Sequence, residues 1–568
     1  MAIEYVRITP APVPDTATPQ RVRMRDGVWL ATDVYLPEND QAPGPTILIR
    51  LPYDKNGEYT FIPKIAEYMT RRGYRVVAQD VRGKFRSEGE SLLFVNEVND
   101  GYDTIEWVTR QNWSNGDVAM WGDSYYGYTQ WAAVSSGHPA LKAIAPRVTG
   151  TGLGELPVAV PGADTRDVEM GIIRMYPLTH FHSNDTYEWE PDWSQRPYIR
   201  DLERFQTDVG QRSASFDLWY PNPVFLRRFP NGSPFEARPV PVLNTIGWWD
   251  NCAPWSWRDH EAITSNPGWA HNEYLLLESI DHENYYFGIG GPAERDDKDV
   301  ERMLPAYLDP ALEFFDVFVR GTGNPADIPR VRWNLAGTTG YRRSAEWPPA
   351  AVQETELLLT GDLTLTSSAD PKTTALSWQH DPDNLVPSPA KNAFAFLVDQ
   401  PDERALSLRA DVADFTGPAV EETLNLVGPV RVRGRVWSTG PRADVFARLY
   451  DLAPDGTLLR IARGQVHIMK AETPVDVDID LGHVGYQLAP GHRLRLHLQS
   501  SDFPEFIPQP GTAESPWTAV DVKPTTQSVQ LGGENAATLV FSTLAEPGPA
   551  LPLVGGAGPD DGTYGTSS

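Results

Sequence analysis

The sequence predicts an α/β protein followed by an all-β domain, and three observations support this. Short apolar strands alternate with helices through residues 1–150 and again through 241–352. A stretch rich in aromatic and charged residues, 151–240, separates the two blocks. From 353 to 568 helical periodicity is lost and short strands follow one another. Alternating strands and helices indicate a parallel sheet with covered faces, whereas strands joined by turns indicate a sandwich or jelly roll.

The first block opens with a hairpin and continues as alternating strands and helices. Polar and apolar residues alternate from 20 to 36 around Asp26-Gly27, a dipeptide typical of two-residue hairpin turns. The elements that follow are a strand Thr46–Arg50, a helix Ile62–Arg71, a strand Tyr74–Ala78 and a helix around Asp100–Arg110. The pattern resumes with strands Val240–Ile246 and Glu273–Leu277 and a helix Leu304–Val319. Both runs are expected to belong to one sheet.

The middle and last blocks differ from the first in their pattern of polar and apolar residues. In 151–240 the β alternation fades, as in Tyr187–Trp193 and Ile199–Phe205, which favours a helical cap inserted over the carboxyl edge of the sheet. The last block contains the predicted strands Glu354–Leu359, Val430–Val436, Val445–Tyr450 and His492–His497, with a turn at Pro454–Gly456. This pattern predicts an antiparallel sandwich or jelly roll.

The composition excludes several classes of protein. A chain of 568 residues is too long for one core. The net charge of −27 argues against nucleic acid or an anionic membrane as a partner. One cysteine, Cys252, excludes an internal disulfide and a zinc site built on cysteines. No apolar leader or membrane-spanning run is found. We therefore expect a cytoplasmic protein without a cofactor or a metal, and an exposed edge of the β domain could support a homodimer.

The octet Gly122–Thr129 carries the strongest functional signal. An apolar run, Val118–Trp121, precedes it, and the sequence that follows is typical of a buried helix. A strand, a tight turn and a helix would lift the Ser124 hydroxyl to the top of a sheet, where it can become a nucleophile. Gly122 and Gly127 stand where such a turn needs small residues. The motif alone is weak evidence, so a base, an acid and an oxyanion donor must be found elsewhere.

His282 is the candidate base. A serine hydroxyl becomes nucleophilic when an imidazole takes its proton and a buried carboxylate holds that imidazole. In α/β-hydrolase folds the acid and then the histidine follow the serine, on loops after later strands. Among eleven histidines, His282 alone comes just beyond a fully apolar strand, in Leu275–His282. Of the others, His138 is suited to a structural role, and His180 and His182 form an H-x-H pair that is only a weak metal signal. His260 and His271 flank the helix and loop after the strand that ends at Ile246. The remaining five fall in the β domain: His380, His467, His483, His492 and His497.

Asp250 is the candidate acid, because it ends the preceding strand in Gly247–Asp250. The alternative role for Asp250 is to cap the helix that follows. Asp259 and Asp281 are its competitors for the catalytic role, although Asp281 directly precedes His282, which makes pairing of their side chains awkward.

An oxyanion hole needs two donors that face the developing negative charge. The N–H of Tyr125, directly after the nucleophile, is the first candidate. The second usually comes from the loop after an early strand, here Arg50–Lys55, where the phenol of Tyr53 can donate. The alternative role for Tyr53 is that of a half-buried packing residue.

Together these motifs resemble the cocaine esterase-like hydrolases, the group that also holds α-amino-acid ester hydrolases, glutaryl-acylase relatives and Xaa-Pro dipeptidyl-peptidases. The matching motifs are Pro52–Lys55, Asp80–Gly89, Gly122–Gly127, Gly247–Asp250, Gly491–Leu496 and Ser500–Pro504. They keep the family's order and extend over nearly the whole chain.

The resemblance implies an α/β-hydrolase domain with an inserted helical cap and a C-terminal β jelly roll. Carried over by position, Ser124 is the nucleophile, Asp250 the acid and His282 the base, while the phenol of Tyr53 and the N–H of Tyr125 form the oxyanion hole. The chain departs from the family at two places. Glu278–His282 replaces the usual Gly-Pro-Trp-x-His, and Phe85 stands where a glycine is common.

The implied activity is cleavage of an ester or amide bond of a small acyl substrate through a Ser124 acyl-enzyme. Alternatives are an α-amino-ester hydrolase or Xaa-Pro dipeptidyl-peptidase, an acyltransferase that uses an alcohol or amine, and a non-catalytic scaffold. Aromatic cap residues could line an acyl pocket or simply pack helices together: Phe181, Tyr187, Trp189 and Trp193. Acidic residues there could bind a substrate α-ammonium group or be solvated surface: Asp164, Asp167 and Glu169.

Overall fold

The structure is a computed structural model that describes residues 6–38, 40, 42–154, 164–219, 227–283, 297–368, 372–389 and 402–554. The elements of the first block are β1 (Val6–Arg7), β2 (Thr18–Arg23), β3 (Trp29–Tyr35), β4 (Gly44–Leu51), α1 (Ile62–Arg71), β5 (Arg75–Asp80), α2 (Glu97–Thr109), β6 (Ser114–Asp123), α3 (Ser124–Ser136) and β7 (Leu141–Arg147). Those of the insertion are β8 (Thr165–Arg166), α4 (Gly171–Thr179), β9 (Tyr187–Glu188), α5 (Ile199–Asp208), α6 (Ala214–Trp219) and a 3₁₀ turn Pro234–Glu236.

The second α/β block contains β10 (Val242–Gly247), α7 (Ala253–Thr264), β11 (Glu273–Glu278), α8 (Asp297–Phe318), a 3₁₀ turn Pro325–Asp327, β12 (Val331–Asn334) and β13 (Tyr341–Ser344). The last block contains β14 (Gln353–Leu359), β15 (Leu365–Thr366), β16 (Thr374–His380), a 3₁₀ segment Glu403–Leu408, β17 (Ala413–Ala419), β18 (Leu424–Ser438), β19 (Ala443–Leu452), β20 (Leu458–Ile468), β21 (Val475–Leu488), β22 (Arg493–Gln499), β23 (Thr525–Leu531) and β24 (Thr538–Thr543).

Both α/β blocks build one sheet. Within the described residues its ten strands lie in the order β13-β12-β11-β10-β7-β6-β4-β5-β3-β2. The strands from β12 to β5 in that order run parallel, and antiparallel strands close both edges. Side chains of one strand alternate between two cores: Ile47 and Ile49 face the core that holds α1 and α8, whereas Leu48 faces the core that holds α2 and α3. This double burial explains the apolar runs of the central strands.

The last block is a β-sandwich. In the described part of the chain one of its sheets has seven strands, from β14, β15, β16, β18, β21, β23 and β24, and the other has five. Their inner faces enclose an apolar core that includes Phe415, Leu449, Leu496 and Phe541. The five-stranded sheet runs β17-β22-β19-β20-β8. Its edge strand β8 comes from the insertion, with Arg166 opposite His467.

The insertion therefore differs from a purely helical cap. It contributes α4, α5 and α6 as expected, but β8 extends the sandwich and β9 pairs with β1 near the N-terminus. The sequence could not show these pairings, because each strand has two residues and each partner is far away along the chain. The cap also packs on the sandwich, where Leu202 and Phe205 share a cluster with Ile507 and Trp517.

The predicted elements of the α/β blocks are confirmed. The hairpin forms β2 and β3, and α1 has the predicted bounds. The helix predicted at Leu304–Val319 is longer, because α8 starts at Asp297 and continues through Pro305 and Pro310. Among the described residues, no helix combines the length and apolar character needed to cross a bilayer.

Gly485 marks a close approach between the sandwich and the α/β sheet. It lies in β21, and its carbonyl oxygen accepts from the N–H of Ala336 at 2.8 Å. A Cβ at Gly485 would lie 2.7 Å from the carbonyl oxygen of Asn334 and 2.9 Å from the Trp248 ring. Contacts that short force neighbouring atoms to move. A glycine is therefore needed where the two domains meet.

We expect Gly485→Ala to destabilise the protein by about 1–3 kcal/mol, because the added methyl group overpacks this junction. Thermal unfolding followed by circular dichroism would show a lower Tm. Gly361→Ala is the matched control, since a Cβ there would meet no atom within 4 Å. An equal Tm for the two variants would contradict close packing at Gly485.

Candidate active site

The turn between β6 and α3 places Ser124 at the carboxyl edge of the sheet. Ser124 has a φ of +49°, a left-handed value that costs energy for a residue with a side chain. Gly122 has a φ of +149°, and a Cβ there would lie 2.0 Å from the Tyr126 ring. A Cβ at Gly127 would lie 2.5 Å from Thr149 Cγ2. Both glycines are thus required, and the predicted strand–turn–helix is confirmed.

Hydrogen bonds from buried side chains hold this turn. Thr149 Oγ1 donates to the carbonyl oxygen of Ser124 at 2.6 Å. Gln130 Nε2 donates to the carbonyl oxygen of Gly122 at 3.2 Å, while its Oε1 accepts from the N–H of Ala145 at 3.0 Å. Gln130 is fully buried, so it ties the end of β6, the helix α3 and the neighbouring strand β7 together. The strained backbone of Ser124 is therefore fixed by bonds that join β6, α3 and β7.

Ser124, His282 and Asp250 form one line of hydrogen bonds. His282 Nε2 lies 2.9 Å from Ser124 Oγ, and His282 Nδ1 lies 2.7 Å from Asp250 Oδ1. Asp250 follows β10 and His282 follows the adjacent β11, so both leave the same sheet edge as Ser124. The N–H of Trp249 donates to the carbonyl oxygen of Ile280 at 3.2 Å and so joins the two loops. The structure brings the three predicted residues together.

The surroundings of His282 favour its protonated form. Burial alone lowers the pKa of the imidazole, but Asp250 raises it, and the net pKa lies above 6.5. Burial raises the pKa of the Cys252 thiol to about 11. That thiol is therefore uncharged at neutral pH, and the Asp250 carboxylate supplies the charge that stabilises an imidazolium.

The competing residues have structural partners. Asp259 accepts from both the N–H and the hydroxyl of Thr151 at 2.6 Å, and Asp281 accepts from the N–H of Glu283 at 3.0 Å. Two other histidines of the α/β blocks pair with carboxylates away from Ser124: His138 with Glu106 at 3.1 Å and His260 with Glu273 at 2.7 Å. Asp250 and His282 are the pair that lies beside Ser124.

Tyr53 lies beside Ser124 on an anchored loop. Lys55 is fully buried and binds Asp80 at 2.7 Å and Asp33 at 3.4 Å, which fixes the loop after β4. Burial raises the pKa of the Tyr53 phenol, and the neighbouring Tyr176, His282 and Ser124 side chains oppose that rise. The phenol is half-buried and its oxygen lies 2.5 Å from that of Tyr176. It is in place to meet an atom bonded to Ser124.

Tyr125 uses its side chain as an anchor. Its phenol donates to Glu97 Oε1 at 3.0 Å and accepts from the N–H of Phe94 at 3.0 Å. Glu97 in turn binds Arg50 at 2.8 Å, and all of these side chains are buried. As the second residue of α3, Tyr125 has a backbone N–H that precedes the first intrahelical acceptor. This N–H therefore has no acceptor within α3, and the buried phenol fixes the residue that carries it.

A buried ionic layer lies beneath the site. Asp123 binds Arg147 at 3.1 Å and accepts a short hydrogen bond from the Tyr307 hydroxyl. Arg147 also lies 3.7 Å from Glu278, which accepts from Tyr341 at 2.7 Å. These groups join the ends of β6, β7 and β11, the strands that lead to or flank the reactive loops. They therefore hold the loops at fixed spacing.

The aromatic cap residues divide into two groups. Trp193 packs against Phe503 and Trp517 of the sandwich, and Trp189 stacks near Phe205 within the cap. Tyr187 likewise contacts cap residues. Phe181 instead contacts the ring of Tyr125 at 5.2 Å. Of the four residues considered for an acyl pocket, Phe181 is the one packed beside the nucleophile turn.

The acidic cap residues are engaged elsewhere. Asp167 binds Arg258 at 2.6 Å, and Asp164 lies 3.7 Å from Lys470. Glu169 accepts from Arg174 and from Trp517, both at 2.8 Å. The interpretation of these residues as a binding site for an α-ammonium group gains no support.

The H-x-H pair does not converge on one point. His180 Nδ1 meets the hydroxyl of Thr179 at 2.9 Å, whereas His182 Nε2 meets the carbonyl oxygen of Gln211 at 2.7 Å. Among the described residues, the ligand-type atoms that cluster are those of Asp250, Cys252 and His282, within 4.8 Å of one another. Asp250 and His282 already bond to each other in the line that ends at Ser124.

Known proteins with similar sequences place the chain in a family. Residues 26–284 match the X-Pro dipeptidyl-peptidase (S15 family) model, and residues 324–540 match the X-Pro dipeptidyl-peptidase C-terminal non-catalytic domain. The chain is 30% identical over 540 residues to a cocaine esterase from Rhodococcus sp. (strain MB1 Bresler). The alignment covers 85% of this chain and 90% of that protein. The chain belongs to the cocaine esterase-like serine hydrolases.

Solved structures share the fold of this cocaine esterase-like hydrolase. An aminopeptidase from a marine sediment archaeon, Thaumarchaeota archaeon, superposes with a TM-score of 0.77 at 21% identity and covers 95% of this chain and 99% of its own. An α-amino acid ester hydrolase superposes with a TM-score of 0.75 at 21% identity and covers 94% of this chain and 98% of its own. An α/β-hydrolase domain followed by a C-terminal β domain is therefore the architecture of this serine hydrolase.

The two departures from the family pattern have local structural counterparts. Phe85 has a φ of +47°, the left-handed region that favours glycine. In the loop before His282, the Ser279 hydroxyl donates to Asn334 at 2.9 Å, and Ile280 packs so tightly that a Cβ at Gly247 would lie 2.5 Å from its carbonyl oxygen. The loop is thus fixed without the usual tryptophan.

Several residues of this cocaine esterase-like hydrolase escaped sequence reasoning. Cys252 lies two residues after Asp250, so its place beside His282 could have been inferred from the turn. Arg147 and Tyr307 reach Asp123 from the next strand and from α8. Tyr176 meets Tyr53 from the cap, 123 residues away. Contacts at such separations leave no pattern in a single sequence.

We expect Asp250→Asn to lower the pKa of His282, because the amide cannot stabilise an imidazolium. An imidazole must be neutral to accept a proton, so wild-type turnover should fall as pH drops through a pKa above 6.5. In the variant this acid limb should move to lower pH, and kcat should drop by about 10³–10⁴-fold. The pH dependence of kcat/KM for a p-nitrophenyl ester measures both.

Asp259→Asn provides the control for this change, since Asp259 serves Thr151 rather than His282. Its acid limb should match that of the wild type. An unmoved limb in Asp250→Asn would exclude Asp250 as the partner that sets the charge of His282.

Proposed function

We propose that this chain hydrolyses carboxylic esters of small molecules through a covalent acyl intermediate on Ser124. The observation that carries the proposal is the line from Ser124 through His282 to Asp250, with distances of 2.9 and 2.7 Å. A hydroxyl, an imidazole and a buried carboxylate in that order are the parts that nucleophilic acyl transfer requires.

In the acylation step, Ser124 Oγ attacks the ester carbonyl while His282 Nε2 takes the hydroxyl proton. The tetrahedral intermediate collapses, and the imidazolium gives its proton to the leaving alcohol. Water then enters, loses a proton to His282 and attacks the acyl-enzyme, which releases the acid and restores Ser124. Asp250 stabilises the imidazolium in both halves through the bond to Nδ1. The Ser124 proton thus leaves on the alcohol and a proton from water replaces it, so Ser124 and His282 are unchanged after one turnover.

The oxyanion is held by the Tyr53 phenol and the backbone N–H of Tyr125 in this proposal. The Tyr53 phenol is close to the Ser124 side chain, and the Tyr125 N–H belongs to the first turn of α3, which starts at Ser124. Preorganised donors in a water-poor site stabilise the tetrahedral charge more than water does, since they need not reorganise during the reaction.

The surroundings favour a neutral acyl group. The rings of Tyr125, Tyr176 and Phe181 pack together near the nucleophile turn, so an apolar acyl chain would find apolar contacts there. The acidic cap residues that could have met a substrate cation are ion-paired elsewhere. The similar cocaine esterase, by its name, acts on an ester.

An α-amino-ester hydrolase or Xaa-Pro peptidase is the second candidate. One observation favours it: Glu283 directly follows His282 and accepts from the half-exposed Tyr59 at 3.2 Å, so a carboxylate lies at the rim of the site. Such a group could attract the α-ammonium of a peptide or amino ester.

The cellular location we propose is the cytoplasm. A single buried cysteine and no cysteine pair for a disulfide fit a reducing compartment.

Ser124→Ala should abolish turnover of p-nitrophenyl esters and labelling by a fluorophosphonate probe, because it removes the hydroxyl that lies 2.9 Å from His282 Nε2. Turnover and gel fluorescence are the measurements. Ser136→Ala is the matched control, since this hydroxyl bonds within α3 to the carbonyl oxygen of Ala133. Full activity in Ser124→Ala with an unchanged Tm would end the acyl-enzyme proposal.

A substrate panel separates the two candidates. We expect neutral acyl esters to exceed the matching α-amino esters and Xaa-Pro amides by about 10-fold or more in kcat/KM, because an unpaired buried ammonium is penalised. Glu283→Gln, assayed on the same panel, should leave neutral esters unaffected. A preference for α-amino substrates that disappears in Glu283→Gln would instead select the second candidate.

A further inference from the structure

The phenol of Tyr53 carries one proton and has two neighbours that could receive it. Tyr176 Oη lies 2.5 Å from Tyr53 Oη, and the Ser124 side chain is also close to the phenol. A phenol donates one hydrogen bond and accepts others. If Tyr53 gives its proton to Tyr176, none remains for a charge that develops on an atom bonded to Ser124. The direction of the bond between the two phenols therefore decides whether Tyr53 can serve the reaction.

The count of protons and lone pairs gives that direction during the reaction. A phenol has one proton to donate, so while Tyr53 donates to the oxyanion it can meet a second hydroxyl only as an acceptor. Tyr176 Oη lies 2.5 Å from Tyr53 Oη, and burial raises the pKa of the Tyr176 phenol well above its usual value, so this hydroxyl keeps a proton to share. In that state Tyr176 is the donor and Tyr53 the acceptor.

The cap holds the ring of Tyr176 in place. His180 stacks on it with centroids 4.6 Å apart and planes at 23°, and Phe181 contacts it at 5.5 Å. The His180 ring is fixed by its bond to Thr179, and burial lowers its pKa to about 3, so it packs as a neutral ring. The backbone carbonyl of Tyr176 accepts from the N–H groups of His180 and Phe181, which closes the end of α4.

Tyr176 belongs to the cap, whereas Tyr53 and Ser124 belong to the sheet. We propose that Tyr176 is a positioning residue. Its hydroxyl donates a hydrogen bond to the Tyr53 oxygen, and the Tyr53 hydroxyl is thereby oriented to donate its own hydrogen bond to the oxyanion. A donor on one side of a hydroxyl strengthens the bond that the hydroxyl gives on its other side. The cap thus completes the oxyanion hole. This inference rests on the proposed roles of Ser124 and Tyr53.

Tyr176→Phe tests the role with little change in packing, because the ring that stacks on His180 remains. We expect kcat for a p-nitrophenyl ester to fall roughly 5- to 10-fold, the worth of one ordinary hydrogen bond, while KM stays within about 2-fold. Removing a donor that strengthens only in the transition state lowers kcat and leaves ground-state binding alone. A rise in KM at constant kcat would overturn the proposal in favour of direct substrate contact.

The double variant with Tyr53→Phe tests whether Tyr176 acts through Tyr53. Tyr53→Phe alone should cost about 10²–10³-fold in kcat, as for the loss of an oxyanion donor. Tyr176→Phe should then add nothing further, because its acceptor is gone. Multiplied losses would show that Tyr176 acts independently and would overturn the proposal.

Tyr187→Phe is the matched control, since it removes another cap phenol, whose oxygen lies 3.5 Å from Asp185 and whose ring contacts His182 and Phe205. It should keep wild-type kcat. Failure of each proposal gives a different result. Activity in Ser124→Ala would contradict the acyl-enzyme, and an unchanged kcat in Tyr53→Phe would contradict the phenol as an oxyanion donor. A slow Tyr53→Phe beside an unaffected Tyr176→Phe, with equal Tm values, defeats the positioning role alone.

Discussion

The strained backbone at Ser124 is the constraint on which the rest of the site depends. A left-handed φ at a serine costs on the order of 1–3 kcal/mol and persists when the surrounding structure leaves no alternative. Here the alternatives are removed by Gly122, where a side chain would enter the Tyr126 ring, and by Gly127, where it would enter Thr149. In return the hydroxyl stands clear of both the strand and the helix. The strain is what exposes it to His282.

The same constraint explains why so much charge is buried under the site. Turns that leave adjacent parallel strands have few backbone partners of their own, so side chains must fix their spacing. The layer of Asp123, Arg147 and Glu278 does so across three strands. Buried ion pairs add little to net stability, because desolvation offsets much of their attraction. Their value here lies in geometry, since a misplaced loop would break a bond of 2.7 or 2.9 Å at His282.

Sequence patterns predicted the part of the molecule that follows local rules. The central strands were identifiable as apolar runs, and Ser124, Asp250 and His282 each follow such a run at the same sheet edge. The roles assigned to them stay predictions, but their convergence was foreseen from strand order. The cap was predicted only as helical, because the two-residue strands β8 and β9 acquire meaning solely from distant partners. The contact of Tyr176 with Tyr53 was beyond reach for the same reason.

The β-sandwich lies against both halves of the proposed machinery. On one side, Trp249, next to Asp250, donates from its indole to the carbonyl oxygen of Ile461 in β20 at 3.1 Å. On the other, the cap that carries Tyr176 is fastened by β8 to β20 and by Glu169 to Trp517. One strand, β20, therefore contacts both the loop of the acid and the cap that contains the second phenol. The sandwich thus helps to fix the distance between the Asp250 loop and the cap that carries Tyr176.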